Sequence, residues 1–302
     1  MKKVKVAIFT AYYNRENDVE ESITSLLNQS YDDFIVVAID DGSTDNTLAR
    51  LNEMKNDKLI IISKKNSGFV DSMKQTIASI DSDFVAIHGS GDISYPDRIK
   101  LQVDILEKHP SVGVVGCHYR NTDLARGITH EYVELSGLIE GRKMLTNLRK
   151  KNPLTQGEVM MRRSAYDKVG GYNTLFVFSQ DYDLWVRLSK IVDFYILPVV
   201  LYERYVRLDG VSGNVNTIAV QQYLASVARL NSLSCSALIT VNNLIAKKKD
   251  PTLSKRLMRL SIRAIIYEKS YPYSLAKVNV IELGFLGCFI NLFLNICRLR
   301  VK

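Results

Sequence analysis

Short apolar runs alternate with amphipathic stretches through the first half of the chain. Residues 4–9, 34–39, 59–62, 84–87 and 112–116 are continuous and rich in β-branched side chains. Runs of this length suit strands buried on both faces, as in a parallel sheet. Between them Val19, Ile23, Leu26 and Leu27 recur at helical spacing behind Asn17 and Asp18, either of which can cap a helix. Leu48, Leu51 and Met54 repeat the pattern. Alternation of this kind predicts an α/β fold with a mostly parallel, doubly wound sheet.

The polar clusters fall where such a sheet places its ligands. TAYYNRE follows the first run, DDGSTD the second, KKNSG the third and HGSGD the fourth. Four loops beyond the carboxyl ends of neighbouring strands form one crevice. Their composition predicts a polar ligand with hydroxyls and phosphates. Past residue 216 the chain becomes helical in pattern, and a loop at 211–216 sets a boundary. The expected domains are 1–215 and a basic helical region, 216–302, ending in an amphipathic helix.

Charge sharpens that division. The net charge is +8, but residues 211–302 carry 13 Lys and Arg against 3 Asp and Glu, so the first 210 residues sum to −2. The basic tail points to an anionic partner. The four cysteines, at 117, 235, 288 and 297, have no metal-knuckle or redox spacing and are expected to be reduced thiols. MKKVKVAIF has the lysines of a signal peptide but is followed by a polar segment without a small-residue cleavage site, so a first core strand and a cytoplasmic location are expected.

In that order and spacing, the segments IFTAYYNRENDVEESITSLLNQSY, IDDGSTDNT, KKNSG, GDISYPDRIKLQ, MMRRSAYDKVGGYN and SQDYDLWVRL resemble family 2 glycosyltransferases of the GT-A fold. The resemblance implies a nucleotide-sugar transferase, with Thr10, Ala11, Tyr13, Asn14 and Arg15 at the nucleotide and Asp40 accepting from the base. It extends the donor site to Asn66, Gly68, Lys74, the segment His88, Gly89, Ser90, Gly91 and Asp92, and Arg207. Asp41, Ser43 and Asp45 are expected to be structural, since DDGSTD also reads as a turn and cap. A carboxylate in DYDLW is the family's base in inverting members. Asp181 matches it, Asp183 is the rival, and both could simply cap the helix that follows.

The family usually holds Mg²⁺ or Mn²⁺ with two aspartates after the fourth strand; here Gly89 and Gly91 stand at those positions and only Asp92 remains as a metal ligand. Either Asp92 with the diphosphate holds the cation, or Arg207 and Lys74 replace it, or the site does not catalyse. Residues 278–297 are apolar with a polar stripe, followed by Arg298, Arg300 and Lys302, the pattern of an interfacial helix at the inner face of a membrane. A helix packed on the domain or in a homodimer is the alternative. The expected partners are a UDP-sugar and a glycan or lipid-linked acceptor, as in cell-surface polysaccharide synthesis, with no nucleic acid. A nucleotide-binding scaffold without turnover is the competing function.

Overall fold

The structure, a computed structural model, describes residues 3–207 and four isolated positions beyond them (221, 224, 225 and 228). The chain divides into two compact units, Met1–Arg207 and Leu208–Lys302. The helical segments and terminal helix expected in 216–302 lie outside the described residues, as do Cys235, Cys288 and Cys297. Cys117 is buried and free, and burial raises its thiol pKa.

The first unit runs β1 (Val4–Tyr12), α1 (Val19–Leu27), β2 (Phe34–Asp40), α2 (Thr47–Glu53), β3 (Leu59–Ser63), α3 (Phe69–Ser79), β4 (Ser82–Gly89), β5 (Ile93–Ser94), α4 (Arg98–Lys108), β6 (Val112–Asp123), β7 (Ile128–Tyr132), β8 (Gly137–Ile139), α5 (Gly141–Leu148), β9 (Met160–Arg162), α6 (Arg163–Lys168), α7 (Gln180–Leu188) and β10 (Asp193–Val206). These strands form one sheet in the order β3-β2-β1-β4-β9-β6-β10-β5, with β7 added to β6 and β8 to β10. The block β1 to β4 is parallel, as is the β6–β10 pair, and antiparallel β9 bridges them. Val6, Ala7, Ile8 and Phe9 are all fully buried, so β1 is covered on both faces. This is why it reads as an unbroken apolar run. α1 buries Val19, Ser22, Ile23 and Leu26.

After β1 the chain winds outward to β2 and β3, then returns to place β4 on the other side of β1. That reversal opens a crevice at the carboxyl ends of the strands. The register aligns its walls: Tyr12 pairs with Asp40, Ala11 with Gly89, and Asp40 with Ser63.

Candidate active site

One end of the crevice is built by the loops after β1, β2 and β3. Asn14, at φ 53°, accepts the Thr44 amide on Oδ1 (2.8 Å), and its own amide donates to Ser43 Oγ (3.0 Å). The Arg15 amide donates to Thr47 Oγ1 (2.7 Å). Asp40, 2% exposed, accepts from the Ser43 amide (3.1 Å) and the Ser63 hydroxyl (3.0 Å). Asp41 pins the third loop, accepting from the Ser67 and Gly68 amides (3.1 and 2.9 Å) and from Ser72 Oγ (2.5 Å). Gly42, at φ 75°, has no room for a side chain: a Cβ there would stand 2.6 Å from the Asn66 nitrogen. Tyr13 is half exposed at the rim. Asn66 and Gly68 are exposed on the third loop, Ala11 is half-buried at the end of β1, and Lys74 is half-buried on α3. Thr10 is wholly buried in β1.

The other end is the loop after β4. Its amides are turned inward: Gly89 N–H donates to the Tyr202 hydroxyl (2.9 Å), Gly91 N–H to Ser22 Oγ (3.2 Å) and Asp92 N–H to the Gly89 carbonyl (3.0 Å). Tyr202 donates to Asp92 Oδ2 (2.6 Å), and the Tyr205 amide donates to Oδ1 (3.0 Å). Burial pushes the Asp92 carboxyl up to about 6, against the pull of those two donors and of Arg204 and Arg207. Arg207 approaches from the opposite side, donating to the Gly91 carbonyl (3.1 Å) and pairing with Asp18 (3.0 Å). Arg15 lies 3.8 Å from the second oxygen of Asp18. The expected cap at Asp18 is therefore corrected: its side chain makes no cap bond to α1 because these guanidinium groups hold it.

His88, expected to touch the donor, supports the loop from beneath and does not face the crevice. It is 1% exposed, its ring meets Tyr202 edge-on, and Nε2 lies 2.9 Å from the Asp92 carbonyl. A carbonyl only accepts, so Nε2 carries the hydrogen; Nδ1 is buried without a partner. Burial, reinforced by the Arg98 charge, holds the imidazole pKa well below its ordinary value. Arg98 is itself fully buried, donating to the Ile87 and Gly157 carbonyls.

The third part comes from α7. Asp181 and Asp183 share its first turn but not their partners. Asp183 is paired with Arg187 (2.7 Å), which also donates to the Val169 carbonyl (2.8 Å). Asp181 is half-buried and accepts a neutral amide hydrogen from Asn152 (2.9 Å). Burial raises its pKa; the Tyr182 amide, Asn152 and the Arg204 charge oppose that rise. Glu158, wholly buried, accepts from the amide (2.7 Å) and hydroxyl of Thr155, and burial raises it to about 7. Asn152 also lines a cavity of about 120 Å³ with Cys117, Tyr119, Tyr132 and Lys151. The rings of Tyr119 and Tyr132 are stacked there, centroids 4.7 Å apart.

The strand ends thus bring together Asn14, Arg15, Asp40 and the third loop at one end and the β4 loop with Arg207 at the other; Thr10, expected at the nucleotide, is wholly buried. Glu158, Asn152 and Tyr202 lie outside the quoted motifs and were not legible as site residues; Arg98 lies within GDISYPDRIKLQ but did not stand out there. The donor set does not fit a divalent cation. A hard cation needs several oxygen ligands, yet both Asp92 oxygens are engaged and the carboxylate is only 8% exposed. A Cβ at Gly89 would fall on Asp92 Oδ2. Among the described residues no three His, Cys, Asp or Glu side chains converge.

Comparison with known proteins agrees with this geometry. The model of the family described as glycosyl transferase family 2 matches residues 7–170. The chain is 30% identical over 198 residues to the putative glycosyltransferase EpsE of Bacillus subtilis, spanning 62% of this chain and 67% of that one. It is 28% identical over 206 residues to an uncharacterized glycosyltransferase of Haemophilus influenzae (62% and 60%), and 27% over 214 residues to the chondroitin synthase of Pasteurella multocida (68% and 21%). The chain thus matches three fifths to two thirds of the first two relatives and a fifth of the third. The crystal structure of S. aureus TarS 1-349 in complex with UDP superposes with a TM-score of 0.59 at 16% identity, covering 97% of this chain and 88% of that one. With the family model spanning over half of its 302 residues, and with strand ends arranged as above, the chain belongs to glycosyltransferase family 2, on a GT-A fold.

Proposed function

We propose that the chain is an inverting glycosyltransferase that moves a sugar from a nucleotide-sugar donor to a hydroxyl of a glycan or lipid-linked acceptor in cell-surface polysaccharide synthesis. The observation that carries this reading is the division of labour on α7. Arg187 neutralises Asp183, whereas Asp181 is held by a neutral amide and keeps its basicity. A base works best when its pKa approaches the working pH, and burial moves Asp181 that way. Asp181 takes the acceptor proton while the acceptor oxygen attacks the anomeric carbon. The bond from that carbon to the diphosphate oxygen breaks on the opposite face, and its electron pair leaves with the nucleoside diphosphate.

The donor follows from the other loops. Tyr13 offers an exposed ring for stacking on a base, and Asp40 stands at the end of β2 with the neutral partners Ser43 and Ser63. A UDP-sugar is supported by the structurally similar TarS, whose structures include complexes with UDP and UDP-GlcNAc. The polysaccharide setting is supported by the chondroitin and hyaluronan synthases among the relatives. The acceptor sugar enters by the cavity beside Asn152, where the tyrosine pair offers an aromatic wall. The basic region 216–302 supports peripheral contact with the cytoplasmic face of a membrane; no helix among the described residues is long and apolar enough to cross one. Removing residues 278–302 should release the protein from anionic vesicles, and equal vesicle binding with and without them would contradict that contact.

The reaction is tested by incubating the full chain with UDP-, GDP- and dTDP-sugars and following donor and product anomers by NMR. Consumption of a UDP-sugar with inverted configuration is expected. Retained configuration contradicts the mechanism, and nucleotide binding without turnover on any donor supports the scaffold instead.

A further inference from the structure

Three features of the β4 loop meet at one point. Gly91 adopts φ 85°, and a Cβ there would stand 2.9 Å from Asp18 Cβ and 3.0 Å from an Arg207 guanidinium nitrogen. Arg207 thus occupies the space that a side chain at position 91 would need. Its guanidinium is 19% exposed and braced by the Gly91 carbonyl, Asp18 and the Tyr205 ring beneath it (5.3 Å). Arg15 joins the same carboxylate from the loop after β1. Two guanidinium groups therefore face the Asp18 carboxylate where β1 and β4 part.

The leaving group needs such a charge. As the glycosidic bond breaks, the diphosphate gains negative charge that must be met by fixed positive groups. A guanidinium fork also matches phosphate oxygens in geometry. Of the loop amides, those of Gly89, Gly91 and Asp92 are turned inward, away from a ligand.

We propose that the diphosphate of the donor is received by Arg207 together with Arg15, with Asp18 as their resting counterion, and that this site needs no divalent cation. The glycine at 91 is the space this arrangement requires. The inference rests on the transferase reading above but concerns only how the diphosphate is held.

The test is calorimetric binding of UDP, GDP, dTDP and inorganic pyrophosphate to the full chain, in excess EDTA and in Mn²⁺. Affinity for pyrophosphate and for at least one nucleotide should be the same in both. Arg207→Ala should weaken both ligands ~10-fold or more, the size of a lost charge-assisted hydrogen bond, and Arg207→Lys should recover part of the loss. Thermal melting separates loss of binding from loss of fold. Nucleotide binding that vanishes in EDTA and returns with Mn²⁺ would overturn the inference and leave the transferase reading standing. Unchanged affinity in Arg207→Ala would also overturn it. If no nucleotide binds under either condition, both fall together.

Discussion

The two ends of the crevice hold their carboxylates by different means. At the nucleoside end the partners of Asp40, Asp41 and Asp45 are amide N–H and hydroxyl groups. At the diphosphate end Asp18 faces two guanidinium groups, and Asp92 lies in the field of Arg204 and Arg207. Neutral donors fix a carboxylate without cancelling its charge, and Lys64 reaches Asp41 only through the Ser72 hydroxyl. Guanidinium groups offset that charge, and on the proposed reading they receive phosphate. On the proposed reading, this contrast sets the direction in which a nucleotide-sugar lies in the crevice.

The comparison can be broken first at Asp41. Asp41→Ala removes three hydrogen bonds, from the Ser67 and Gly68 amides and the Ser72 hydroxyl, and should lower stability by about 2–4 kcal/mol. The melting temperature should fall sharply, with residual donor affinity tracking the folded fraction. A variant as stable as the parent would mean that the nucleoside end does not depend on its carboxylates.

Glu158 sharpens the contrast, because it is a neutral-donor carboxylate near the catalytic end. Its pKa is about 7 in the fold against an ordinary 4.5, so folding favours its protonated form. Its stabilising contribution is complete below pH 4.5 and is lost as pH rises through about 7. Glu158→Gln should therefore gain up to about 3 kcal/mol over the parent at alkaline pH and nothing in acid, since Thr155 Oγ1 can reverse and accept. Denaturant titrations across pH check this, and parallel curves for the two proteins would refute it.

A smaller effect is expected at the acceptor wall. Tyr132→Ala removes half of the stacked pair and should raise the acceptor KM by ~3–10-fold with kcat little changed, the value of one aromatic contact. Steady-state kinetics at saturating donor measure it, and a loss confined to kcat would place the acceptor elsewhere.

The strand cores were legible because continuous β-branched runs have one reading in a buried parallel sheet. Their ends were not. β6 continues past residue 116 through Cys117 to Asp123, where polar side chains hid a strand that pairs with β7 and β10. β9, only three residues long, gave no periodic signal. Asp41 stood out as structural because turn chemistry is local, whereas Asn14 and Asp40 were singled out by the resemblance. His88, Asp18 and Asp92 were misplaced for the opposite reason: Tyr202, Tyr205 and Arg207 reach them from the far end of the unit, and local pattern carries no trace of such contacts.

The central claim is that α7 presents one working base and one structural acid. The direct measurement is transfer by Asp181→Asn and Asp183→Asn as a function of pH. Asp181→Asn should lower kcat by at least ~10²-fold while nucleotide binding and melting temperature hold. In the parent, the rate should fall as pH drops through a pKa above the ordinary aspartate value of about 3.9, because the base must be deprotonated to act. Asp183→Asn should keep kcat within a few-fold and melt earlier, since it leaves Arg187 without its charge partner. An active Asp181→Asn beside a folded but inactive Asp183→Asn would contradict the account.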